Sequence, residues 1–407
     1  MPTAPPEEFQ ADVLRVIPEL QRQTGRVLEE VGGSTAELAA LCERLGIHRK
    51  LAWQVRRFAH CPDPFRAARL LPTPGGLRTF VAAARSAGAE PEVVEAIEAA
   101  GRACEQLSAR HAGGREGLDL LAEGCASEGD PDFEAEVRRQ AFQGNAFIWG
   151  VRSRLFLATI VLAPSPSREG WFDCAQVRGL YGLQRMRPGV RWTLNHSVVR
   201  DEGLATAPRR EPLDPEAAAR AGGVPLLGRF TACGAGIERT ARGTELYDRI
   251  APGPVGQLGE EQVVTGEVMR ELSPTRTDRE NRRAFFGTAV RTPTELLVMD
   301  QFVHRSLFPG VERRLCVFGE LSDQSTTDET DLLPVTASIQ SLPAGPRVPG
   351  VPEAPRYAEL LAHVFDRMGF PQEEFELHRV RIPYPPVPSS VLLRHPVPSS
   401  SDAGAAS

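Results

Sequence analysis

Six side chains between residues 49 and 57, Arg49, Lys50, Trp53, Gln54, Arg56 and Arg57, carry the chemistry needed to read double-stranded DNA. Guanidinium and ammonium groups neutralise phosphates or pair with guanine edges, and a Gln amide pairs with adenine. Their spacing suits one helix. Leu51, Val55 and Phe58 fall at i, i+4 and i+7, with Ala52 and Ala59 beside them, so the apolar stripe turns inward and leaves the six polar or aromatic side chains on the other faces. From Gly46 to Arg69 there are six basic residues and one acidic residue, Asp63. Trp53 stands apart, because a large ring serves as an anchor against protein at least as well as in a groove.

That helix needs a partner to hold it, and the preceding residues supply one. Residues 36–59 read as two helices joined at Gly46, the second of them basic, which is a helix-turn-helix arrangement. Leu41, Leu45, Ile47 and Val55 occupy the apolar positions, and Cys42 is small enough to let the helices cross. Ser34, Thr35, Ala36 and Glu37 form a capping box that starts the first helix. Gly46 supplies the positive φ that closes it, and Pro62 ends the second by about His60. Upstream, Val13, Ile17 and Leu20, then Val27, Leu28 and Val31, form a stripe for one or two packing helices, with Pro18 at a helix start. The expected unit is a three-helix domain over residues 9–62.

Residues 34–60 resemble bacterial helix-turn-helix transcription regulators, over less than a tenth of the chain. They depart from the common pattern at Ala52, where a branched apolar residue usually packs, and at His48 and Leu51, where small polar residues are common. The resemblance implies a cytoplasmic regulator in which Arg49, Lys50, Gln54 and Arg57 approach DNA. A remote domain would then set oligomerisation or sense a signal.

Composition narrows the classes. The 407 residues carry a net charge of −6 and are 41% hydrophobic, enough for two or three cored domains. Residues 1–140 hold 17 Lys plus Arg against 22 Asp plus Glu, so the basic patch is local and no broad nucleic-acid footprint exists. The chain has 46 arginines and one lysine, Lys50, so arginine is a general habit of this sequence and a weaker marker than usual. The first thirty residues contain Glu7, Glu8 and Asp12 and lack a signal-peptide run, and no segment approaches eighteen apolar residues. A cytoplasmic location away from the membrane is expected. Seven scattered cysteines without a C-x-x-C pair suit buried reduced thiols, with neither disulfides nor a zinc site.

Two textures divide the chain. Residues 1–8 and 399–407 read as disordered ends. Residues 63–142 read as helical, with Asp63-Pro64, Pro91 and Asp130-Pro131 as helix starts and Val93, Ile97, Ala100, Cys104 and Leu107 as a core-facing stripe. From about Asn145, short apolar and β-branched runs separated by Gly and Pro read as strands or hairpins over 146–162, 190–199, 225–233, 261–269, 284–304 and 313–321. One helix at 355–369 and a strand at 374–383 follow, and 384–398 is Pro-rich and extended. Loops at 206–223 and 322–332 are polar. The second holds Asp323, Asp328, Glu329 and Asp331, at a spacing that matches no calcium loop. Ala146-Phe147 with Gly150 and Arg152 echoes Ala284-Phe285 with Gly287 and Arg291 as a pair of similar hairpins, with both arginines at their tips.

Motifs for phosphate loops, zincins, hydrolase elbows and dinucleotide folds are absent. Asn195-His196-Ser197, and Asp300 with His304, are the polar groups nearest to apolar runs. A Cys233 or Cys174 thiolate activated by His196 or His304 is chemically possible, and the 231–236 stretch, Thr-Ala-Cys-Gly-Ala-Gly, reads equally as a tight turn admitting a ligand to the backbone and as a plain turn between strands. The reading is therefore an α+β protein: a helical N-terminal region with a helix-turn-helix unit, then a β-rich C-terminal domain of unassigned fold over 143–398. Its expected role is DNA-binding transcription regulation without cofactor or metal, in a homo-oligomer. A protein-interaction scaffold using Trp53 is the alternative, and an enzyme with a Cys/His site in the β-rich domain comes third.

Overall fold

The computed structural model describes residues 7–31, 38–126, 130–198, 208–243, 245–277, 282–320, 327–343, 345 and 348–399. The capping-box residues Ser34, Thr35, Ala36 and Glu37, and Asp323 of the acidic loop, lie outside them, as do residues 1–6 and 400–407 of the expected disordered ends. The protein is α+β, with a helical N-terminal region followed by a sheet-rich C-terminal region. It divides into two units, Met1–Asp130 and Pro131–Ser407, each with its own hydrophobic core.

The first unit comprises α1 (Glu7–Glu30), α2 (Leu38–Leu45), α3 (Arg49–Ala59), α4 (Pro64–Leu70), α5 (Pro74–Ser86), α6 (Pro91–His111) and α7 (Arg115–Cys125). The stripe from Val13 to Leu28 runs along one continuous helix, α1, with Pro18 inside it. Proline removes one helical hydrogen bond there. Val13, Ile17, Leu20, Val27 and Leu28 are nonetheless all fully buried on one face, each burial being worth about 1.5–3 kcal/mol, which outweighs the loss. Helix α1 also extends to Glu7, ahead of the expected start. Asp63 caps α4 by accepting from the backbone N–H of Phe65 at 2.8 Å, and Pro91 opens α6, whose Val93, Ile97, Ala100, Cys104 and Leu107 are buried as expected.

The second unit begins with α8 (Pro131–Trp149), followed by β1 (Val151–Pro164), β2 (Trp171–Arg185), β3 (Trp192–Val198), β4 (Arg209–Pro212), α9 (Pro215–Arg220), β5 (Ile237–Arg242), β6 (Glu245–Ile250) and β7 (Glu261–Pro274). Then come β8 (Arg283–Val290), β9 (Thr294–His304), β10 (Arg314–Gly319), β11 (Ile339–Leu342), α10 (Tyr357–Met368), β12 (Phe375–Pro383) and β13 (Ser389–Pro396). Seven strands form one sheet in the order β11-β12-β9-β1-β2-β7-β4, in which β1 and β9 are parallel and the other pairs antiparallel. Two three-stranded sheets accompany it, β10-β13-β8 and β3-β6-β5. Strand β1 alternates between two cores. Leu155, Leu157 and Val161 join Leu360 and Val364 of α10, and Phe156, Ala158 and Ile160 join Val391 and Leu393 of β13. Burial on both faces explains why β1 reads as a continuous apolar run.

Several expectations fail for physical reasons. Residues 146–149 are helical, because Phe142 and Ala146 bury one helical turn apart and Gly150, at φ +71°, provides the stop before β1. The echo between residues 146 and 284 is therefore a helix end against a strand, since Ala284 to Val290 lie within β8, and Arg152 sits within β1. Residues 225–233 contain a 3-10 turn, Gly228–Phe230, in place of a strand. The 206–223 loop contains β4 and α9, and the extended 384–398 segment contains β13. The sequence pattern does not disclose strand β2, the longest among the described residues. Among the described residues, no helix is long and apolar enough to cross a membrane.

Candidate nucleic-acid interface

Helix α2 ends in a Schellman closure. Gly46 has φ +60°, its N–H donates to the Glu43 carbonyl at 3.4 Å, and the Ile47 N–H donates to the Cys42 carbonyl at 3.2 Å. Three residues later α3 begins with His48 as its N-cap, where Nδ1 accepts from the Lys50 N–H at 3.2 Å. His48 thus fills with a ring nitrogen the role a small polar residue usually takes. The Ala52, Val55 and Phe58 side chains are buried against the core of the first unit and Leu51 is half-buried, as their period requires.

The six predicted DNA-contacting side chains separate into three groups. Arg49 and Lys50 are exposed in the first turn of α3, and that turn contains no acidic residue. Trp53 is 46% exposed, and the guanidinium of Arg57, one turn on, lies 4.8 Å from its ring centroid. This is a cation–π contact that holds both side chains on the outer face. Gln54 and Arg56 are half-buried. The Gln54 amide donates to the Leu71 carbonyl at 3.0 Å, so its nitrogen closes the end of α4 in place of facing outward. The Arg115 guanidinium donates to the same carbonyl at 2.7 Å.

A residue absent from the sequence reading, Gln21, fixes the other end of α3. Its amide donates to the Phe58 carbonyl in the last turn and to the Cys61 carbonyl just beyond it, each at 2.8 Å, and so ties the end of α3 to α1. A polar residue facing the same core as Ile17 and Leu20 was the available signal. The electrostatics of α3 are uneven. Arg56 and Arg57 in the last turn suit the negative end of the helix dipole, whereas Arg49 and Lys50 oppose its positive end, at a cost of about 0.3–1 kcal/mol each. An anion placed at that turn would reverse the sign of the interaction.

The acid–base candidates of the second unit are engaged elsewhere. Asp300 is fully buried and accepts from Arg379 Nε at 2.7 Å and Nη2 at 2.6 Å, and from the Tyr357 hydroxyl at 2.6 Å. Burial and the Asp300 carboxylate push the Tyr357 hydroxyl well above its ordinary range. His304 lies 3.0 Å from Glu374 and 2.7 Å from the Ser306 hydroxyl, and His196 stacks on Tyr247. Burial pushes the Cys174 thiol up to about 12 and that of Cys233 up to about 11, which opposes thiolate chemistry at either. All seven cysteines are free thiols. In the acidic loop, Asp328 accepts from the Thr330 N–H at 2.9 Å and Glu329 pairs with Arg283 at 3.2 Å and with Arg394. Among the described residues no group of three potential metal ligands occurs. The chain matches no family model, no curated protein and no solved structure.

Proposed function

We propose that the chain is a DNA-binding transcriptional regulator, with α3 as its groove-reading helix and the C-terminal unit as an oligomerisation or effector module. The observation that carries this reading is the exposed pair Arg49 and Lys50 in the first turn of a helix set by a three-residue turn. Two cations at the positive end of a dipole weaken the isolated fold, and phosphates from a duplex convert that weakness into attraction. Arg57 extends the contact one face along, and Trp53 stacks beneath it. Gln54, whose amide nitrogen is committed to Leu71, contributes less to base reading than its sequence position implies. A cytoplasmic location and a homo-oligomeric state belong to the same proposal.

The test is fluorescence anisotropy of the full chain with a pool of labelled duplexes at two salt concentrations, alongside the Arg49→Ala/Arg57→Ala double variant. The expected result is binding that weakens steeply with salt, with the double variant binding at least roughly tenfold more weakly and losing about two phosphates' worth of salt slope. Both substitutions are at exposed positions, so stability should change by no more than about 1 kcal/mol each, upward for Arg49→Ala, which relieves the dipole, and downward for Arg57→Ala, which removes the contact with Trp53. Absence of binding at low salt, or equal affinity in the variant, would refute the assignment. A second reading, docking of a protein partner on the same face, is favoured by the half-exposed Trp53. Salt-insensitive binding of a protein, lost in Trp53→Ala, distinguishes it.

A further inference from the structure

The sheet β10-β13-β8 gathers arginines that are far apart in sequence. Its register sets Arg314 opposite Arg394 and Arg283 opposite Pro396, at the end of the sheet where β10 and β8 begin and β13 finishes. Arg313 precedes β10, and Arg282 precedes β8. Together with His395 these residues line a cleft of about 1030 Å³. Like charges directly across an antiparallel pair are destabilising, and only part of this charge is offset. Glu329 pairs with Arg283 at 3.2 Å and with Arg394, whereas Arg282 and Arg314 make no ion pair among the described residues.

Two of the lining residues also carry a buried nitrogen without a partner among the described residues, and the His395 ring packs against Phe286 and Phe308. His395 is 1% exposed, its Nδ1 lies 2.9 Å from the Pro396 carbonyl, and its Nε2 is buried with no hydrogen-bond partner among the described residues. Arg313 donates through Nη1 to the Val311 carbonyl at 3.1 Å, but its Nε is likewise buried and without a partner. Each buried polar group left in this state costs about 1–3 kcal/mol. His395 Nε2 is an acceptor, because Nδ1 carries the proton toward Pro396, whereas Arg313 Nε is a donor; with Arg282 and Arg314, which make no ion pair among the described residues, that donor calls for an acceptor-rich anion.

We propose that this cleft binds a small phosphorylated molecule carrying at least two negative charges, held by forked hydrogen bonds from Arg313, Arg314 and Arg282. Guanidinium forks match phosphate geometry bidentately, and the volume is that of a small-ligand pocket. Glu312 in the lining, and Glu329 through its pairs with Arg283 and Arg394, interrupt the cationic surface, which disfavours a continuous nucleic-acid backbone and suits a compact ligand. The inference concerns the C-terminal unit and does not depend on the role of α3.

Isothermal titration calorimetry of the full chain with inorganic pyrophosphate tests it, with sulfate at matched ionic strength as the control. The expected result is saturable pyrophosphate binding that exceeds sulfate binding. It should weaken roughly tenfold or more in Arg282→Gln/Arg314→Gln, whose substituted side chains are exposed, and in Arg313→Gln. Unchanged melting temperatures in the ligand-free variants separate lost binding from lost folding. Failure to bind, equal affinity for sulfate, or undiminished binding in the double variant would overturn the proposal. Duplex DNA binding that is lost in Arg282→Gln/Arg314→Gln but kept in Arg49→Ala/Arg57→Ala would also overturn it, assigning the cleft to a nucleic-acid backbone.

Discussion

The two units handle buried polarity in opposite ways. In the helical unit, half-buried polar groups close helix ends: Gln21 bridges the Phe58 and Cys61 carbonyls, and Gln54 and Arg115 meet at the Leu71 carbonyl. In the sheet-rich unit, full charges go inside in pairs. Asp300 with Arg379 and Arg185 with Glu261 are both almost completely buried, and Asp173 and Asp248 are buried partners of Arg270 and Arg239. Helices satisfy their own backbones except at the ends, so neutral amides suffice there. A strand at a sheet edge or at a seam between sheets offers no such local closure, and a charged pair bridges two elements at once. The lesson concerns fragility. Removing a capping amide leaves carbonyls that water can reach at a helix end, while removing one member of a buried pair strands a charge.

Asp300→Ala tests this difference at its strongest. It leaves the Arg379 guanidinium without its carboxylate and the Tyr357 hydroxyl without its acceptor, and urea denaturation should show a loss of about 3–5 kcal/mol. A loss below about 1 kcal/mol would mean that the pair is not isolated from water and that the contrast between units is false.

A pH series sharpens the comparison next. Burial, with Arg313 and His395 nearby, holds the His378 imidazole down to about 4, against an ordinary value of 6.5. The folded chain therefore binds this proton less readily than the unfolded chain. The His378 contribution is constant above about pH 6.5, declines as pH falls from about 6.5 to about 4, and levels off below that. At roughly 1.4 kcal/mol per unit the full decline is about 3 kcal/mol. His378→Asn should flatten this part of the stability profile measured by urea midpoints, whereas an unchanged slope would place the titration elsewhere.

The smallest effect belongs to the helical unit. Gln21→Ala removes two donations to the end of α3 and should lower stability by about 1–2 kcal/mol in thermal denaturation. A cost equal to that of Asp300→Ala would abolish the distinction between capping amides and buried pairs.

Features encoded locally were legible in the sequence. Gly46 marked the end of α2 because few other residues adopt its backbone angle without strain, and Asp63-Pro64 and Asp130-Pro131 marked α4 and α8 because capping and a missing N–H are local properties. Nonlocal partners hid the rest. Strand β2 contains Asp173 and Arg185, charges that interrupt its apolar run and are buried only because Arg270 and Glu261 of β7 pair with them. Pro18 signalled a helix start, but the stripe beneath α1 carried the helix through. In the candidate interface, Arg49, Lys50, Trp53 and Arg57 stand on the exposed face their period required, while the commitment of Gln54 to Leu71 depends on where α4 ends. The arginine cleft was invisible for the same reason, since Arg314 meets Arg394, and Arg283 meets Pro396, only through strand pairing.

The two amides that bracket α3 have one more consequence. A helix held at Gln21 and Gln54 cannot rock or fray independently of α1 and α4. The arm that presents Trp53 and Arg57 is thus stiff before any partner arrives. A partner docking there, as proposed, would meet a surface already ordered by folding, and association would proceed without the entropic toll of assembling a recognition element on contact.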